Sequence, residues 1–160
     1  MQEIRIRPVQ AEDHSRVEQL IVEHWGSARM VVHGDVFFPA ELPGFLALRA
    51  AEICGLVTYS IRENDCEILS LDAFQSGLGI GSLLIEAVKD EARAKGCARL
   101  CLVTTNDNLN ALAFYQKRGF RLSALRPGAL ELSRKIKPEI PLVGENGIPI
   151  RDEIELEIDL

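Results

Sequence analysis

The sequence predicts an α/β fold, a mixed and mostly antiparallel sheet with helices on both sides. Three observations predict it. The apolar runs Phe45–Ala50, Ile53–Ile61 and Cys66–Ala73 follow one another through very short links, the pattern of an antiparallel meander. A glycine-rich turn and an amphipathic stretch then lead into another apolar run, Ala98–Thr105, which is the order of a strand–helix–strand unit with a parallel pair. Finally, the stretch from Asp152 to Leu160 alternates strictly, with Ile154, Leu156, Ile158 and Leu160 on one face and acidic residues on the other.

The remaining elements follow in order. Glu3–Pro8 alternates and reads as a short first strand ended by Pro8. Val17, Leu20, Ile21 and His24 or Trp25 share one face of a helix from about Asp13 to Trp25, with Glu12 and Asp13 favourable at its start and Gly26 closing it. Residues 27–44 hold two prolines and two glycines, so no long helix is expected there, although Phe37 and Phe38 require packing, and His33 reads as a structural or solvated histidine. Tight turns are expected at Ala51–Glu52 and at Glu63–Asp65. The amphipathic helix places Ile80, Leu83, Leu84, Ala87 and Val88 on one face and runs to Lys95, with Gly96 as its stop. An Asn/Asp cluster after Thr105 starts another helix that Gly119 ends, and a polar helix is expected around Gly128 to Lys137. The Pro- and Gly-rich stretch 138–151 carries enough Ile, Leu and Val to be an ordered loop.

The chain has 160 residues, enough for a single domain over 1–160 with one core, and 47% hydrophobic against 26% charged residues argues against disorder. A net charge of −6 without a basic run disfavours nucleic acid and anionic membranes as partners and suits an amine-bearing small molecule. Cys54, Cys66, Cys97 and Cys101 form no Cys-x-x-Cys pair. Cys97 and Cys101 fall on one face of an expected strand and read as buried free thiols, with no metal set around them. Neither a signal region nor a membrane-spanning stretch is evident, so a cytoplasmic setting is expected.

Chemistry concentrates in the stretch from Leu69 to Ile85. Gly77, Gly79 and Gly81 alternate directly before a helix, where uncovered backbone N–H groups at the positive end of a helix dipole make a cradle for phosphate or pyrophosphate. Gly77-x-Gly79-x-x-Ser82 is a loose match to the dinucleotide fingerprint, but the next strand ends without the acidic residue that fingerprint requires. The stretch resembles instead the acetyl-CoA-binding motif of the GNAT superfamily of N-acetyltransferases, Gln/Arg-x-x-Gly-x-Gly/Ala. Ser76, Gly79 and Gly81 occupy its three defined positions, with Ser76 in place of Gln or Arg and Gln75 one place early. A second motif of that family, Asn-x-x-Ala-x-x-Phe-Tyr-x-x-x-Gly-Phe, is matched by Asn108, Ala111, Phe114, Tyr115, Gly119 and Phe120. The resemblance covers roughly residues 3 to 126.

The resemblance implies a cleft for acetyl-CoA between two splayed central strands and direct acetyl transfer to an amine, with no metal. It assigns backbone groups of Leu71, Asp72 and Ala73 to the pantetheine arm. The turn Ser76, Gly77, Leu78, Gly79, Ile80, Gly81 and Ser82 would hold the pyrophosphate, with Asn108 and Tyr115 also at the cofactor. Tyr115 takes the place of the general acid that protonates the departing thiolate, since a phenol is protonated at neutral pH. Glu67 is the candidate base, acting directly or through water. Strand alternation would put it among Leu69 and Leu71, where an acid needs a reason. Arg151 and Asp152, where the C-terminal loop becomes a strand, are candidates to meet a small amine acceptor, and a homodimer is possible. A non-catalytic acyl-CoA-binding module would share the glycine turn but need no general acid.

Overall fold

The computed structural model describes residues 3–160. The elements are β1 (Ile4–Pro8), α1 (His14–Trp25), β2 (Met30–Val32), β3 (Asp35–Phe37), β4 (Gly44–Arg49), β5 (Glu52–Arg62) and β6 (Asp65–Ala73), followed by α2 (Ile80–Ala94), β7 (Arg99–Thr105), α3 (Leu109–Lys117), β8 (Arg121–Arg126), α4 (Ala129–Ile136) and β9 (Glu153–Asp159). They fall into two compact units. The first holds the described residues up to Met30, Phe38–Leu100 and Leu160; the second holds Val31–Phe37 and Cys101–Asp159.

In the first unit the strands run in the order β1-β4-β5-β6, and each neighbouring pair is antiparallel. Opposed residues share a face, so the register separates two sides. Leu46 and Leu56 point to one side, where they join Val17 and Ile21 of α1 and Ala40 in a buried cluster. Gly55 and Val57 point to the other side, beneath α2. The helix α1 starts where Arg7 clasps Asp13 with two bonds of 2.7 and 2.9 Å while Asp13 also accepts the Gln10 N–H at 2.8 Å. It stops at Gly26, whose φ of 76° ends the helical path. In α2 the buried stripe is Ile80, Gly81, Leu84, Ile85, Val88 and Ala92, whereas Leu83 is exposed. The apolar face is therefore turned by one residue from the expected one, because Ile85 rather than Leu83 meets the sheet.

Two turns differ from expectation for a backbone reason. Residues 27–44, expected to be irregular, contain a two-stranded hairpin of β2 and β3 closed by His33 and Gly34 at φ 55° and 77°. Positive φ at both central positions is the hairpin turn whose twist matches paired strands, and His-Gly supplies it. The β4–β5 turn lies at Ala50–Ala51, one residue earlier than expected, with φ of 52° and 67°. Alanine has no intrinsic preference for that region, so nothing in the residue types marks the turn.

In the second unit the strand order is β7-β9-β8, with β8 and β9 antiparallel. The stretch after α4 is ordered, as expected. Val143 and Pro149 bridge, the Ile150 N–H donates to Leu142 O at 2.9 Å, and the Arg134 guanidinium donates to the carbonyls of Ile140, Pro141 and Ile150. The strand β9 is present, but its acidic side is not a solvated face. Glu153 is 5% exposed and accepts the His33 N–H, Glu155 pairs with Arg126, and Glu157 pairs with Arg121. The cysteines are free and buried, as expected, but Cys97 precedes β7 and closes the end of α2 by donating its N–H to Ala92 O at 2.9 Å.

Candidate active site

The glycine turn belongs to the first unit. Gly77 and Gly79 have φ of 78° and 70°, and no atom lies within 4 Å of where a side chain would begin at either residue. Ser76, Gly77, Leu78 and Gly79 are exposed, so this backbone faces outward into open space. The first turn of α2 closes with the Leu83 N–H donating to Gly79 O at 3.1 Å. The N–H groups of Gly79, Ile80 and Gly81 precede that bond and have no partner in the helical ladder. A fifteen-residue helix thus presents its positive end beside this exposed turn. This donor set fits a diphosphate. Ile80 and Gly81 contribute backbone only, since both are buried. Gln75, one place early for the motif, accepts from Arg49 of β4 at 3.2 Å.

On β6 a bulge decides which side chains reach which side. Thr58 opposes Ser70 and Tyr59 opposes Ile68, so Leu69 is an extra residue. Beyond it the alternation reverses. Glu67 opposes Ser60 and Asp72 opposes Leu56, which puts both carboxylates on the α1 side with Ser70. Glu67 therefore does not lie on the Leu71 face, as unbroken alternation required. Leu71, with Val57, points to the α2 side instead. The α1 side of β5 and β6 carries a polar stripe of Ser60, Glu67, Thr58, Ser70 and Asp72. At its middle the Thr58 and Ser70 hydroxyls are 2.6 Å apart, both nearly fully buried. Glu67 is half-buried. At the end of the stripe, Asp72 Oδ2 accepts the Trp25 indole N–H at 2.9 Å, and the rings of His24 and Phe74 stack at 4.3 Å. Burial pushes the Asp72 carboxyl above its ordinary value, against the opposing pull of Trp25 and His24. The Asp72 backbone was a candidate from sequence; its side chain and Trp25 were not. A lone tryptophan at a helix end was the available signal.

In the second unit Asn108 caps α3, its Oδ1 accepting the Ala111 N–H at 3.2 Å, so its amide nitrogen is the part left for a ligand. Tyr115 is buried on α3, edge-on to Phe114 at 5.1 Å and to Phe120 at 5.4 Å. The second motif's aromatic positions thus form one packed group that fixes the tyrosine. Asp152 differs from expectation. It is 7% exposed, and its carboxylate accepts the Gly128 N–H at 2.9 Å and Arg151 Nε at 3.1 Å. The Gly128 N–H, then Arg151, hold its carboxyl below the usual carboxylate range. That carboxylate ties the start of α4 to the end of the loop, and Arg151 beside it is exposed.

The acetyltransferase (GNAT) family profile matches residues 5–120. The protein YdhI of Bacillus subtilis (strain 168) is 50% identical over 133 residues, covering 82% of this chain and 83% of its own. Among solved structures, the IAA acetyltransferase from Bacillus cereus ATCC 14579 superposes with a TM-score of 0.74 at 22% identity, over 99% of this chain and all of the other. A GNAT family acetyltransferase from Elizabethkingia anophelis, solved with acetyl-CoA bound, gives 0.70 at 23% identity over 98% of each chain. The chain belongs to the GNAT family of acetyltransferases, carries its fold, and is an acyltransferase. Among the described residues, no helix is long and apolar enough to cross a membrane.

Proposed function

We propose that this chain moves an acetyl group from acetyl-CoA directly to the amine of a small molecule. The observation that carries this reading is the open turn Ser76–Gly79, with its left-handed glycines at the start of α2. Backbone N–H groups from Gly77 to Ser82 bind the pyrophosphate of the co-substrate, and the backbone of Leu71, Asp72 and Ala73 pairs with its pantetheine arm. With Ser76 in the Gln/Arg position, recognition rests on backbone rather than on a side-chain fork.

The chemistry needs a base for the ammonium and an acid for the thiolate. Glu67, half-buried on the polar stripe, takes the amine's proton directly or through a water held by the neighbouring hydroxyls. The freed amine attacks the acetyl carbon, Tyr115 donates its phenolic proton as the carbon–sulfur bond breaks, and the proton that the new amide nitrogen sheds restores the phenol. The acidic balance of the chain and the absence of a basic run favour a cationic small molecule over nucleic acid.

The test of the reading is cofactor binding followed by turnover. Gly79→Asp places a carboxylate at the turn and strains a residue with φ of 70°. A folded Gly79→Asp protein should lose acetyl-CoA binding in calorimetry, while the parent releases free thiol from acetyl-CoA in the presence of a panel of primary amines. Equal binding by both proteins overturns the placement of the co-substrate. Thiol release with none of the amines overturns the acceptor class.

A further inference from the structure

The last residue of α1 is Trp25, the single tryptophan of the chain, and it is 47% exposed. Its indole N–H donates to Asp72 Oδ2, and His24 beside it stacks on Phe74. All four residues lie in the first unit. Among the described residues Trp25 is the hydrogen-bond partner of Asp72, and no lysine or arginine pairs with this carboxylate; the ionisable side chain beside it is His24. Several other aspartates have a guanidinium partner, whereas buried Asp107 accepts the Thr105 hydroxyl. Asp13 has Arg7, Asp65 has Arg99 and Asp152 has Arg151. A neutral asparagine would hold the indole N–H equally well, so tying α1 to β6 does not require the charge. A half-buried anion without an ion-pair partner costs free energy that a bound cation returns. The half-exposed indole supplies the other group that attracts an organic cation, an aromatic face.

We propose that Asp72 and Trp25 form a binding site for an organic ammonium group, and that this group belongs to the amine acceptor. The acceptor is then an aliphatic amine that arrives protonated, not an arylamine that is neutral at pH 7. The assignment to the acceptor rests on the acetyl-transfer reading above, whereas the binding site itself does not. One carboxylate oxygen stays with the indole N–H and the other meets the ammonium.

The lone tryptophan makes the site observable without catalysis. The full chain is titrated with n-butylammonium chloride at pH 7 and constant ionic strength, without acetyl-CoA, and Trp25 emission is followed. Sodium chloride and n-butanol serve as the salt and the neutral counterpart. The expected result is a saturable emission change with butylammonium alone, and at least a tenfold weaker dissociation constant in Asp72→Asn with its fold checked by circular dichroism. No saturation with butylammonium, an equal response to butanol, or unchanged affinity in Asp72→Asn overturns the site. Should the variant not fold, the butylammonium–butanol comparison in the parent decides alone. A chain that binds butylammonium but acetylates no amine keeps the site and loses the acetyl-transfer reading. A chain that acetylates aliphatic amines without the emission change does the reverse.

Discussion

Gly55 lies directly beneath Ile80. A Cβ at Gly55 would stand 2.4 Å from Ile80 Cγ2, 3.1 Å from Leu84 Cδ1 and 3.2 Å from Asp72 O. The missing side chain on β5 therefore sets how closely the first turn of α2 approaches the sheet, and with it the position of the turn proposed to hold the pyrophosphate. Ile80 is 2% exposed, part of the packed core. Gly55→Ala should destabilise the protein by about 1–3 kcal/mol through overpacking. It should also weaken acetyl-CoA binding several-fold. Urea unfolding and calorimetry on the same preparation check the pair, and a stability loss with unchanged affinity would uncouple Gly55 from the turn.

The turn Ala50–Ala51 stores strain in the open. An L-residue in the left-handed region costs roughly 1–2 kcal/mol, and two alanines are held there. Ala51→Gly should raise stability by about 0.5–1 kcal/mol after the added freedom of the unfolded chain is subtracted. Acetyl transfer should be unaffected. The urea midpoint reports the gain.

Three carboxyls set opposing pH dependences. Asp13, bonded by Arg7, and Asp152, bonded by the Gly128 N–H and Arg151, have folded pKa values below the ordinary 3.8. Their stabilisation is complete above that value and is lost as pH falls through the folded values. Asp72 is raised above 3.8 by burial, so its ionised form is a penalty at neutral pH that disappears as pH falls through its folded value. Asp72→Asn should therefore unfold at higher urea than the parent at pH 7, with the margin closing toward pH 4. Asp152→Asn should unfold at lower urea at pH 7, and its deficit should shrink below the ordinary value and vanish as pH falls through the folded one. A margin for Asp72→Asn that does not change with pH would mean that the charge is not the cause.

The proposed acid and base separate by kinetics. Tyr115→Phe keeps the ring contacts with Phe114 and Phe120 and removes the hydroxyl, so turnover should fall about 10²-fold with acetyl-CoA affinity held. Glu67→Gln should remove the acidic limb of the pH–rate profile. A loss under about threefold returns Tyr115 to packing alone, and an unaltered limb removes Glu67.

All four thiols should be silent in the folded protein. Cys54 and Cys66 are 0% exposed, Cys97 is 6% and Cys101 is 3%, and burial pushes the Cys54 and Cys97 thiols up, away from the reactive thiolate. Iodoacetamide at pH 7.5 should label none of them before unfolding and four after it, as read by mass spectrometry.

What the sequence reveals, and what it hides, follows from how local each feature is. Strand alternation and helix stops are local, so β1, the β4–β6 meander, α2, α3 and β9 are legible from residue order. Gly26, Gly96 and Gly119 mark helix ends because only glycine adopts those backbone angles cheaply. The Ala50–Ala51 turn is invisible because alanine is held there by its strands and not by preference. The side of Glu67 is lost for a different reason, since a bulge is a property of two paired strands and Leu69 looks like any other strand residue. The pairing of Trp25 with Asp72 spans 47 positions, so neither residue announces the other. Asp152 was visible as a charge at a loop end, but its partner Gly128 was not.

The extra residue at Leu69 turns the strand into a counter. Residues on either side of it are read in opposite phase, and this is what lets two carboxylates five positions apart share one face. A strand of the same length without the bulge would set Glu67 and Asp72 on opposite faces, although neither had been replaced. Removing Leu69 itself would only straighten the strand, leaving Thr58 opposite Ser70 and Tyr59 opposite Ile68.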